Sequence, residues 1–274
     1  MILKIYNLSI NIECNPQALK SKTPILFLHG FTGNFNDWKF VENKLPENFT
    51  PIFIDLIGHG KTSSPIDVKN YTSDSQIELL KELLVKLKIQ ECVIVGYSMG
   101  GRLALEFTLK YPEFVSALIL ESTSFGIEDE SERKRRIESD EKLAEQIENS
   151  NISDFIKYWY TIPLFNSLKN LPKDKFENLI KSKIASNNNT GLKNSLIGFS
   201  TGRMQNFYLF AKTINIKTLL IAGELDEKYK TTLLRADYLM PNSKLKIVND
   251  AGHNVHLEKP EEFLKLINEF LLNI

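Results

Sequence analysis

Cysteine is nearly absent from this 274-residue chain, where Cys14 and Cys92 are the whole complement. Two thiols so far apart cannot supply the paired ligands of a zinc motif, and Cys92 sits in an apolar run that reads as buried strand. A reducing, cytoplasmic setting with no metal is expected. An excess of charge of one sign is also missing. The 34 Lys and Arg balance 34 Asp and Glu, so no global field draws the chain to a phosphate backbone or an anionic leaflet. No apolar run approaches the ~18 residues that a membrane span needs. The N-terminal Met-Ile-Leu-Lys-Ile-Tyr-Asn-Leu lacks the long apolar block of a signal peptide. Nucleic acid, membrane insertion and export therefore fall outside the expectation. No internal repeat or coiled-coil heptad is evident.

What remains is an ordinary globular composition, 42% hydrophobic and 25% charged. A chain near this length buries roughly three quarters of its unfolded surface, so its size does not demand oligomerisation and a monomer is expected. Residues 2–13 alternate apolar and polar as edge strands do. Short apolar runs follow at Pro24–Leu28, Pro51–Asp55, Glu91–Gly96 and Val115–Leu120, with helical stretches at Asp37–Leu45, Ser73–Leu87 and Met99–Tyr111 between them. Alternating strand and helix predicts an α/β fold, a mostly parallel sheet covered on both faces. From Ser131 to Glu148 the chain reads as a densely charged helix, and from Asp154 to Ile197 as further helices broken at Pro163, Pro172 and Asn187–Asn189. Strand signals return at Ile216–Ala222 and Lys244–Val248, and a last helix spans Pro260–Leu272. The expectation is one core, residues 1–122 and 205–274, with a helical cap at 123–204 inserted into it.

Gly96-Tyr97-Ser98-Met99-Gly100 follows an apolar strand and opens a helix, the setting of a nucleophile elbow. The bland alternative for Ser98 is a helix N-cap. An acid and a histidine follow in the order this arrangement uses: Asp226 and then His253, each past a strand at the end where open sheets bind ligands. Glu224 rivals Asp226, which the longer turn favours. The glycine-flanked loop His29-Gly30-Phe31-Thr32-Gly33 would offer the Phe31 N–H, with that of Met99, as an oxyanion hole. His29, His59 and His256 read as structural. Arg102 lies one turn after Ser98 on the same helix, so it shares a face with the serine. Near a buried nucleophile its guanidinium must find an anion, either a ligand carboxylate or a salt bridge to Glu121 or Glu106.

These residues are together similar to the α/β-hydrolase superfamily over nearly the whole chain, through the His-Gly-Phe loop, Asp55-Leu56-Ile57-Gly58-His59-Gly60, the elbow, and the acid and histidine turns. Within it the chain resembles the 2-succinyl-6-hydroxy-2,4-cyclohexadiene-1-carboxylate (SHCHC) synthase family of menaquinone biosynthesis. The residues carrying this are Gly96–Arg102, Glu121–Gly126, Glu132-Arg133, Arg136, Asp140, Leu143-Ala144 and Thr201-Gly202. The resemblance implies an α/β-hydrolase fold and a lyase that removes pyruvate from a polycarboxylate without metal or cofactor. It also implies a triad of Ser98, Asp226 and His253, pocket arginines Arg102 and Arg136, pocket aromatics Tyr97 and Trp159, and Lys183 at a third basic position. A serine hydrolase of an ester, thioester or carbon–carbon bond would use the same triad. A non-catalytic receptor has no need of an intact one.

Overall fold

The structure, a computed structural model, describes residues 1–274. Eight strands form one sheet: β1 (Ile2–Ile5), β2 (Leu8–Cys14), β3 (Thr23–Leu28), β4 (Phe49–Ile54), β5 (Cys92–Tyr97), β6 (Val115–Glu121), β7 (Lys217–Gly223) and β8 (Ser243–Val248). Their order is β1-β2-β4-β3-β5-β6-β7-β8. Only the first two pairings, β1 with β2 and β2 with β4, are antiparallel. The alternating 2–13 segment thus supplies the edge hairpin, and the uniformly apolar runs supply the parallel centre.

Successive side chains of those central runs point to opposite faces, and both faces are dry. Leu26, Leu28, Ile94, Leu118 and Leu220 join a core with α1 (Ser73–Lys86) and α2 (Met99–Lys110). Ile25, Phe27, Val93, Val95, Ile119 and Ile221 join a second core with α9 (Pro260–Leu271). The remaining core helices are α7 (Glu227–Leu239) and the short α8 (Val255–Glu258).

Between β6 and β7 the chain forms α3 (Glu130–Asn149), α4 (Ile152–Trp159), α5 (Lys173–Ala185) and α6 (Asn189–Gly198). Each start follows from a local signal. Asp129 accepts from the Glu132 N–H, Asn151 from Ser153 and Asn188 from Gly191, while Pro172 precedes α5. These helices have a small core of their own around Ile147, Phe155, Ile156, Phe165 and Leu192.

One helix differs from expectation. In place of an α-helix over Asp37–Leu45, the chain makes a 3-10 helix over Phe35–Val41. Its buried residues, Trp38 and Val41, are three apart, and a 3-10 helix stacks positions i and i+3 on one side.

Candidate active site

Four loops at the carboxyl ends of β3, β5, β7 and β8 converge on one spot. Ser98 sits between β5 and α2 at φ 49° and ψ −104°, a left-handed conformation costly for a residue with a Cβ. The turn is possible because its flanks are glycine: a Cβ on Gly96 would lie 2.6 Å from the Gly100 carbonyl oxygen, and one on Gly100 would overlap the Leu28 carbonyl. The Ser98 N–H is bonded to the Glu121 carbonyl at 2.9 Å and the Arg102 N–H to the Ser98 carbonyl at 3.0 Å, which pins the turn between sheet and helix. Ser98 has no side-chain cap bond to α2. Its hydroxyl instead lies 3.1 Å from His253 Nε2, as donor to that nitrogen.

His253 Nδ1–H donates to Asp226 Oδ2 at 2.6 Å, with both side chains almost wholly buried. The carboxylate fixes the tautomer that leaves Nε2 free to accept a proton. Asp226 is itself held as the cap of α7, accepting from the Tyr229 N–H at 3.3 Å. Glu224 is exposed and accepts from the Asp250 N–H, away from the histidine. Tyr229 and Tyr97 pack on the His253 ring, with centroids 4.5 and 5.3 Å away.

The Met99 N–H opens α2 and belongs to the groups that a helix leaves without an internal partner. The Phe31 N–H donates to no other backbone or side-chain group. The other three histidines are buried in structural bonds. His29 bridges the Gly30 carbonyl and the Leu56 N–H, and burial pulls its pKa down to about 4. His59 donates to the Ile57 carbonyl, and burial, helped by His29, lowers it to about 3. His256 donates to Glu121 and stacks on Trp38.

Ser98 opens into a cavity of about 400 Å³ whose walls include Phe31, Met99, Arg102, Arg136, Asp140, Trp159, Lys228 and Tyr229. Arg102, 8% exposed, donates from Nη1 to the Phe199 carbonyl at 2.7 Å and lies over the Phe199 ring at 4.6 Å. Burial lowers its pKa to about 10, so it stays a cation at neutral pH. It forms no ion pair with Glu121, which His256 occupies. Arg136 uses Nε for Asp140 at 2.7 Å, and that carboxylate outweighs the burial of the guanidinium and raises its pKa. The other guanidinium nitrogens of both arginines bond to no protein group. Lys228 stands at the cavity mouth without a carboxylate partner, its pKa lowered by partial burial and then by the like charge of Arg136. Sequence reasoning missed Lys228; its place two residues after Asp226, on the first turn of α7, was the available signal.

Two expected pocket residues lie elsewhere. Tyr97 is not part of the cavity wall: its ring is wedged among His253, His256 and Gly30, whose Cβ would come within 2.5 Å of it. The expectation that Lys183 contacts a ligand is corrected. Its ammonium is 2.5 Å from both oxygens of Asp37, with side chains 2% and 10% exposed. An ammonium drawn inside the protein must meet a carboxylate, and this one does. Burial works against both charges, yet their attraction lowers Asp37 and raises Lys183, so the pair stays ionised. No group of three or more His, Cys, Asp or Glu side chains is placed to hold a metal ion.

A sheet with a strained serine after β5 and a buried His–carboxylate pair past β7 and β8 defines an α/β hydrolase, and the family model described as the alpha/beta hydrolase fold matches residues 23–260. A Bacillus subtilis relative named as a candidate SHCHC synthase is 42% identical, covering 91% of this chain and 90% of its own. The SHCHC synthase of Enterobacter sp. strain 638 is 31% identical, covering 86% of each. The solved structure of MenH from S. aureus superposes with a TM-score of 0.89 at 32% identity, covering 96% of this chain and 98% of that one. The chain belongs to the SHCHC synthase family of α/β hydrolases.

Proposed function

We propose that the chain is a carbon–oxygen lyase of menaquinone biosynthesis. It eliminates pyruvate from 2-succinyl-5-enolpyruvyl-6-hydroxy-3-cyclohexene-1-carboxylate and leaves SHCHC. The observation that carries this reading is the cavity charge: Arg102, Arg136 and Lys228 line it, and the one carboxylate in its wall, Asp140, is paired with Arg136. A plain ester needs no such wall. A substrate with succinyl, enolpyruvyl and ring carboxylates does, since a guanidinium holds a carboxylate with two parallel hydrogen bonds and so fixes the ring.

In this mechanism His253, oriented by Asp226, accepts the Ser98 proton as the serine oxygen takes the acidic proton from the ring carbon beside the succinyl ketone. The electron pair left behind is shared with the ketone oxygen, which the Phe31 and Met99 N–H groups bind. As it returns, a double bond forms to the neighbouring ring carbon, the existing one shifts along, and the carbon–oxygen bond to enolpyruvate breaks. The leaving oxygen keeps those electrons, and protonation gives pyruvate. No electrons leave for an outside acceptor, so the reading calls for no cofactor, and no acyl-enzyme forms. Trp159 supplies an apolar wall for the ring. We place this work in the cytoplasm and in a monomer: both cysteines are unpaired, and one chain supplies every group used.

The test adds the enolpyruvyl substrate to pure protein and follows pyruvate together with the absorbance of the new diene. Both should rise with equal stoichiometry. No pyruvate, with a burst of acyl-enzyme from an activated ester, would identify a serine hydrolase instead.

A further inference from the structure

Lys183 lies on α5, among the inserted helices, and its partner Asp37 lies in the segment after β3 that carries Phe31. The two are 146 residues apart in sequence. A buried ion pair is a poor stabiliser, because desolvating two charges offsets most of their attraction. What this one does is hold a loop. Asp37 also receives the Asn34 N–H, and Asn34 caps the 3-10 helix by accepting from Asn36. The inserted helices grip the same few residues at three more points. Asn34 donates to Ser186 at 3.0 Å, Asn187 donates to the Thr32 carbonyl at 2.9 Å, and the Thr32 and Tyr160 hydroxyls are 3.1 Å apart. Thr32 sits at φ 63°, a conformation that persists only where its surroundings impose it. Phe31, the residue before it, offers one of the two oxyanion donors.

We propose that Lys183 is a positioning residue: through Asp37 it fixes the loop over residues 30–37 so that the Phe31 N–H points at the oxyanion, tying completion of the hole to seating of the inserted helices. The inference rests on the lyase reading for the identity of the oxyanion. Its geometry concerns any anion formed beside Ser98.

The double variant Lys183→Met/Asp37→Leu replaces the pair with apolar groups and leaves no orphaned charge. Its melting temperature should stay within a few degrees of wild type. Removing one oxyanion donor outright costs roughly 10²- to 10³-fold in kcat, and a loosened donor should cost part of that, about 10- to 100-fold, with KM changed less than about twofold. A fluorophosphonate probe, whose reaction with Ser98 needs the same hole, should react more slowly by a similar factor. Asn187→Leu, which removes the Thr32 contact together with the bonds of Asn187 to the Lys183 carbonyl and the Ser186 hydroxyl and leaves the ion pair in place, should show a weaker kcat loss of the same kind and keeps the test available if the double variant fails to fold. Wild-type kcat and phosphonylation rate in either folded variant would overturn the proposal, as would a rise in KM at constant kcat, the mark of substrate contact. A wild-type protein that releases no pyruvate would defeat the lyase reading alone, and the phosphonylation rates would still decide the role of Lys183.

Discussion

At the scale of single residues, the reactive centre depends on short contacts between groups far apart in sequence. Ser98→Ala and His253→Ala should each lower pyruvate release by at least the ~10²- to 10⁴-fold expected for a positioned base. Near wild-type release from Ser98→Ala would remove the serine from the mechanism. Asp226→Asn should impair turnover through the wrong imidazole tautomer, and Glu224→Gln should do little, since Glu224 only receives the Asp250 N–H. The cations allow a similar ranking. Arg136→Lys retains the charge and loses the fork. It should reduce kcat/KM by ~10- to 150-fold, the equivalent of losing a charge-assisted bond of about 1.5–3 kcal/mol. Lys228→Ala, at the wet mouth, should mainly raise KM and do so less at high salt, where screening already weakens its pull. Steady-state kinetics at two ionic strengths check both. These residues differed in legibility. Ser98, Asp226 and His253 stand next to strand ends and glycines that mark them in the sequence. Lys183 carries no such mark, and its role depends on Asp37.

At the scale of elements, α2 carries the reactive centre at one end and a buried carboxyl in its middle. Glu106, one turn past Arg102, is 7% exposed, and its Oε1 has no hydrogen-bond partner. Burial raises its pKa to about 7, against the attraction of Arg102 and with a further push from Asp74. The folded chain therefore keeps a proton that the unfolded chain releases above about 4.5, and stability falls as pH rises from there to 7. The cost at pH 8 is of the order of 3 kcal/mol. Glu106→Gln should raise the melting temperature at pH 8 and leave it nearly unchanged at pH 4.5. A gain of equal size at both values would show that packing, not ionisation, sets the effect. Element types followed from period and caps: the face of Ile77, Leu80 and Leu84 placed α1, and Asn188 stops and restarts the chain before α6. The segment after β3 did not follow. Apolar spacing of three and four looks alike over so short a stretch, and the 3-10 choice is set by where Trp38 and Val41 find the core and by the Asn34 cap.

At the scale of the whole molecule, the inserted helices rest on the loops of the core, in one place backbone to backbone. The strand order cannot be read from the runs themselves, since β4 lies outside β3 in space yet after it in sequence. The helical insert was visible only as a change of pattern after Leu120, and the surface it rests on was not visible at all. Two backbones come close on that surface where α6 crosses the turn after β4. Gly58, at φ 80°, faces Gly191, and a Cβ on Gly191 would overlap the Gly58 carbonyl oxygen. Gly191→Ala therefore sets two effects against each other. Alanine favours a helix interior over glycine by about 1 kcal/mol and gains less than that here, in the first turn, where the Gly191 N–H donates to the Asn188 cap, whereas forcing an atom into a packed site costs about 1–3 kcal/mol. The obstructing atom here is backbone rather than the end of a pliable side chain, so the overlap should win and α6 should lift from the core. The melting temperature should fall by several degrees, proteases should cut more readily within residues 123–204, and kcat/KM should drop because Phe199, which closes α6 and receives Arg102, moves with the helix. A raised melting temperature with unchanged kinetics would mean that helix propensity outweighs the overlap and that the seat of α6 does not hold Arg102 in place.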